Sequence, residues 1–160
     1  MRHTVSVVVE NKPGVLTRIA GLFARRGFNI DSLAVGESEK KGFSRITIIV
    51  TGDDNIIEQI TKQLYKLIDT YKVIDLTPTK HIEREMILAK VSINTTNRSE
   101  VIEIADIFRS KIVDVSEKSM TIEITGDNDK NEGFINLLKK FGILEIVRTG
   151  TIAIQRGTGK

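Results

Sequence analysis

The chain has 160 residues, 24 of them Lys or Arg and 21 Asp or Glu, for a net charge of +3. That length admits one domain or two small ones, and its interspersed charges lack the clustered positive face that a nucleic-acid surface needs. With no cysteine there is no disulfide, thiolate nucleophile or Cys-bound metal; no apolar run approaches the roughly 18 residues of a membrane span, no secretory signal pattern opens the chain, and the expected location is the cytoplasm.

Taken in order, His3 to Val9 alternates as a strand, with Val5, Val7 and Val9 on one face. Asn11-Lys12-Pro13-Gly14 interrupts it, and a helix is expected from about Pro13 to Arg26. Pro13 presets φ and surrenders an N–H that a first helical turn does not need. Gly14 lets another molecule approach the backbone. The unpaired N–H groups behind it suit a carboxylate or phosphate. Val15, Leu16, Ile19, Leu22 and Phe23 form the apolar stripe, with Arg18 and Arg25 off it. Gly27 reads as the left-handed stop. Phe28 to Glu37 and Phe43 to Thr51 are two strands of a hairpin. Asp53-Asp54 opens a second helix on Ile57, Ile60, Leu64 and Leu67, and Tyr71 to Leu76 is a fourth strand.

Lys80 to Glu85 reads as a polar linker, after which the order recurs. Met86 to Ile93 is a strand, and Thr96 to Ser99 caps a helix on Val101, Ile104, Ala105 and Phe108. Ile112 to Val115 and Met120 to Thr125 are strands, and Gly126-Asp127 repeats the punctuation of Gly52-Asp53. Phe134, Leu137, Leu138 and Phe141 stripe a last helix. Ile143 to Ile154 is a final strand with a break at Gly150, and Gln155 to Lys160 a frayed tail.

The expected fold is α+β: two ferredoxin-like βαββαβ domains, 1–79 and 80–160, each an antiparallel sheet with helices on one face. Apolar residues on both faces of the third strand (Ile46, Ile48 and Val50 against Ile49) predict that the open face or an edge is covered by another domain or subunit.

A catalytic constellation is not legible. His3 and His81 are isolated, without partners at metal-ligand spacing, and neither completes a serine nucleophile motif. There is no P-loop and no GxGxxG. Asp53-Asp54 and Asp127 to Asp129 lie at helix starts, where acids have a structural reason to be. An RNA-binding module shares the βαββαβ order but stacks bases on strand aromatics. Here those positions are Val5, Val7, Val9, Ile46, Ile48 and Val50. No basic recognition helix supports a transcription regulator.

Pro13-Gly14-Val15-Leu16, then a helix, then Gly27-Phe28-Asn29-Ile30 resembles the ACT domain, a fold that binds small effectors. Glu10 to Arg18, Arg26 to Ile30, Phe43 to Thr47, Glu58 to Leu64, Glu83 to Met86, Ile107 to Arg109, Ile112 to Val115 and Arg148 to Gly150 together resemble the small, regulatory subunits of acetolactate synthase. The resemblance implies a non-catalytic homodimer with no cofactor or metal of its own. It implies a large catalytic subunit as partner, carrying thiamine diphosphate, Mg and FAD, and feedback by a branched-chain amino acid, usually valine. It implies an effector held between ACT domains of two protomers: Asn11, Lys12, Pro13, Gly14, Val15 and Leu16 of one, Asn29 and Ile30 of the other. The chemistry of these residues agrees. Backbone N–H groups take the carboxylate, the asparagine carbonyls accept from the ammonium, and Val15, Leu16 and Ile30 enclose a small branched side chain. Such a pocket separates valine from leucine or isoleucine by only about 1–3 kcal/mol per methylene.

Overall fold

The computed structural model describes residues 1–158. The first six elements are β1 (Arg2–Glu10), α1 (Val15–Arg25), β2 (Ile30–Glu37), β3 (Phe43–Thr51), α2 (Asp54–Tyr65) and β4 (Thr70–Asp75). They form an antiparallel sheet in the order β2-β3-β1-β4. The apolar alternation read from the sequence sets the register, with Val5 opposite Ile48 and Val7 opposite Ile46. These side chains share a core with Ile19, Leu22 and Phe23 of α1 and Ile57, Ile60 and Leu64 of α2, so both helices lie on one face.

The second half repeats the order with β5 (His81–Ser92), α3 (Arg98–Ile107), β6 (Lys111–Val115), β7 (Ser119–Gly126), α4 (Asn128–Leu138) and, after a 3-10 turn at Lys139–Phe141, β8 (Ile143–Arg148). Its sheet runs β6-β7-β5-β8, and a last strand, β9 (Ile152–Gln155), also pairs with β5. Ile87, Ala89 and Val91 of β5 meet Val101 and Ile104 of α3 and Phe134 and Ile135 of α4. The duplicated α+β architecture is thus present.

Several expectations are corrected. Of the expected linker, Lys80 to Glu85, all but Lys80 is the leading end of β5, because β9 pairs with it, and Arg156 N–H donates to the Lys80 carbonyl just before the strand (2.9 Å). The expected last strand is two strands; Gly150, at φ 89°, turns the chain between them. Gln155 belongs to β9 rather than to a frayed tail, and residues 159–160 of that tail lie outside the described residues. Leu137 is exposed, and Ile135 takes its place in the core.

Packing divides the chain into Met1–Ile82 with the segment from Thr151 onward, and Glu83–Gly150. This is not the same division as domains at 1–79 and 80–160. The segment after Gly150 joins the first unit, where Thr151 N–H donates to Ser32 Oγ of β2 (2.9 Å). On the side of the first sheet away from its helices, Thr4, Ser6, Thr47 and Ile49 are buried. In the second unit Met86 and Leu88, on the side of β5 away from the helices, are exposed.

Candidate functional site

The turn between β1 and α1 grows from the end of the β1–β3 ladder. Asn11 N–H still donates to the Gly42 carbonyl (2.9 Å), and Lys12 N–H folds back to the Glu10 carbonyl (3.0 Å). Pro13 precedes the helix rather than opening it, since α1 starts at Val15. Gly14 is the N-cap, at φ 85° and ψ −10°, with no side chain to satisfy the helix. Glycine is required there by its left-handed backbone, beyond any closeness of approach. Its carbonyl accepts from Arg18 N–H (3.0 Å), while Val15 N–H reaches only weakly to Lys12 (3.4 Å). Leu16 and Thr17 N–H have no acceptor among the described residues. These free donors, with the positive end of the helix behind them, favour an anion.

The side chains divide by availability. Asn11, Lys12 and Pro13 are exposed. Asn11 has no side-chain hydrogen bond among the described residues. Lys12 is engaged: its ammonium lies 2.8 Å from Glu10, whose hydrogen bond and charge push the lysine above its ordinary value of 10.5. Val15 is buried in the core, so it has only its backbone to offer a ligand. Leu16, 43% exposed, is the apolar group that the turn presents.

Asn29 and Ile30 lie at the other end of α1. The helix stops as expected, with Gly27 at φ 71° and Phe28 N–H donating to the Phe23 carbonyl (3.0 Å). Asn29 is therefore not needed as a cap. Its Nδ2 donates to Asp31 Oδ1 (3.4 Å), and Thr51 Oγ1 donates to Asp31 Oδ2 (2.6 Å). That leaves the Asn29 carbonyl open to an ammonium, with the Asp31 carboxylate beside it. The tie of Asp31 to Asn29 forms at the start of β2. Ile30 is half-buried against the first core. An eleven-residue helix separates the two groups by roughly 16 Å at about 1.5 Å per residue, so a single chain does not bring them together.

One residue near the turn is invisible to motif reading. Asp69, between α2 and β4, is 6% exposed. It accepts from Arg18 Nε (2.9 Å) and Nη2 (2.7 Å), and its carbonyl accepts Glu10 N–H (2.9 Å). It ties the end of β1 to the first turns of α1.

Elsewhere the polar groups have structural work. His3 is buried, with Nε2 3.1 Å from the Gly52 carbonyl. His81 is in β5, with Nδ1 2.9 Å from the Thr79 carbonyl. Asp53 and Asp127 cap α2 and α4 through Ile56 N–H (3.0 Å) and Lys130 N–H (2.9 Å). Among the described residues, no three His, Cys, Asp or Glu side chains gather as a metal site, and no helix is long and apolar enough to cross a membrane.

Residues 5–72 match the family described as the AHAS small subunit-like ACT domain, and residues 84–157 the family described as the small subunit of acetolactate synthase. The chain is 53% identical over 160 residues, the whole of both chains, to a probable acetolactate synthase small subunit of Archaeoglobus fulgidus. It is 54% identical over 156 residues, 97% of this chain and 81% of the other, to the acetolactate synthase small subunit of Aquifex aeolicus. The crystal structure of the acetolactate synthase small subunit from Thermotoga maritima superposes with a TM-score of 0.89 at 50% identity, covering 98% of each chain.

Proposed function

The chain belongs to the acetolactate synthase small-subunit family, and from that premise we propose that it confers feedback by a branched-chain amino acid, valine foremost, on its catalytic partner. It is a non-catalytic regulatory subunit, and membership of this family implies partnership with the large, catalytic subunit. Thiamine diphosphate, Mg and FAD belong to that partner in this reading, and so does the chemistry. The small subunit raises the partner's activity and withdraws it when the end product accumulates, in the cytoplasm where branched-chain amino acids are made.

The observation that carries the reading is the separation of the two polar ends of α1. Asn11 to Leu16 offer donors for a carboxylate and one exposed apolar side chain. Asn29, with Ile30 beside it, offers an open carbonyl for an ammonium. A free amino acid has both charges a few bonds apart, so one molecule cannot span roughly 16 Å. A homodimer that sets the turn of one protomer against the start of β2 of its partner closes that gap. β2 lies at the edge of the first sheet, and that edge is the surface for this pairing.

The test is acetolactate formation by the purified pair of subunits, titrated separately with valine, leucine and isoleucine. Inhibition by valine at the lowest concentration, with a light-scattering mass of at least two small subunits, is expected. A dilute monomer that still binds valine, or a chain that co-purifies from its native cell with no thiamine-diphosphate enzyme, would sink the reading.

A further inference from the structure

We infer that Arg18 is the charge-reading residue of the effector site, held in place by the buried carboxylate of Asp69. The inference rests on the effector reading above and adds to it a side chain that the sequence left merely off the apolar stripe of α1. Two of the three guanidinium nitrogens, Nε and Nη2, donate to one oxygen of Asp69 at 2.9 and 2.7 Å. The third, Nη1, has no partner among the described residues. It leans over Gly14: a Cβ at that position would come within 3.2 Å of it. An arginine has five N–H donors in a rigid fork, so anchoring one side of the fork aims the other.

Both cations near the turn are paired with a carboxylate. The Lys12 ammonium is paired with Glu10 at 2.8 Å. Arg18 is paired with Asp69 in turn, but its fork keeps Nη1 open over Gly14, beside the free N–H groups of Leu16 and Thr17. Asp69 is 6% exposed while the Arg18 side chain is 47% exposed, so a buried carboxylate anchors a guanidinium that stays accessible to a ligand. The Asp69 backbone is fixed by Glu10 N–H. These donors suit a small anion that can sit over a glycine backbone, and in the effector reading that anion is the carboxylate of an α-amino acid.

Arg18→Lys tests this without stranding Asp69, since lysine keeps a charge for the buried carboxylate. Lysine is a point charge and cannot serve two carboxylates as a fork does. The assembled complex of small and large subunits is titrated with valine and with valinamide, which lacks the carboxylate. Wild type should prefer valine, and Arg18→Lys should weaken valine on the order of tenfold to a hundredfold, the size of a lost charge-assisted hydrogen bond. It should weaken valinamide much less. Asp69→Asn should shift valine in the same direction, with little further loss in the double variant. Equal weakening of valine and valinamide would reduce Arg18 to a structural brace and overturn the inference. So would an unchanged valine curve in a folded Arg18→Lys complex. A wild-type complex indifferent to valine, leucine and isoleucine would instead remove the effector reading, and this inference with it.

Discussion

Gly14 shows how backbone conformation decides what a substitution tests. At φ 85° any L-residue other than Asn or Asp is strained, by roughly 1–2 kcal/mol. A bulky replacement therefore confuses loss of fold with loss of site. Asn and Asp both tolerate the left-handed region and match in size, so comparing them isolates charge. Both crowd Arg18, whose Nη1 would meet the new Cβ at 3.2 Å. Gly14→Asp also sets a like charge against an incoming carboxylate. We predict that the two variants melt within about 0.5 kcal/mol of each other, an ordinary spread for surface changes. Valine inhibition of the mixed subunits should be weaker for Asp than for Asn. Superimposable inhibition curves would take Gly14 out of the site.

The helices show the same economy twice. α2 and α4 each start from a Gly-Asp pair whose aspartate accepts from the N–H three residues on, Asp53 from Ile56 and Asp127 from Lys130. Each cap should contribute about 1 kcal/mol, within a range of 0.5–2. The two aspartates cap helices in different packing units. We therefore predict that the losses in Asp53→Ala and Asp127→Ala add in the double variant to within about 0.5 kcal/mol, as read by chemical denaturation. A coupled loss would mean that the caps share partners. α1 has no such cap, only Gly14, and its first turn is left with free donors, a cost tolerable where a ligand completes it.

The whole molecule is organised by where its last strand goes. Thr151 and Ala153 are buried, and Thr151 N–H is held by Ser32 Oγ. Truncation after Gly150 should therefore loosen the first unit, although the residues removed follow the second in the chain. Hydrogen exchange should show faster amide exchange in β2 and in the leading end of β5, with β7 and α4 little changed. Protection lost first in β7 would contradict the division of packing units.

Much of this molecule follows from its sequence alone. Alternation at Val5, Val7 and Val9, the helical stripes through Ile19 and Ile60, and the Gly-Asp punctuation are local signals. They determine the type and order of the elements of both βαββαβ repeats, β9 apart, and the resemblance at Asn11 to Leu16 and Gly27 to Ile30 marks a candidate site. Three things were decided only in three dimensions. His81 to Glu85, within the expected linker, becomes strand because β9 returns to pair with β5. Thr151 is held in the first unit by Ser32, 119 residues away. Arg18 is aimed by Asp69 from 51 residues away. In each case the deciding partner is distant in the chain, and periodicity, which reports only which face a residue shares with its near neighbours, carries no record of it.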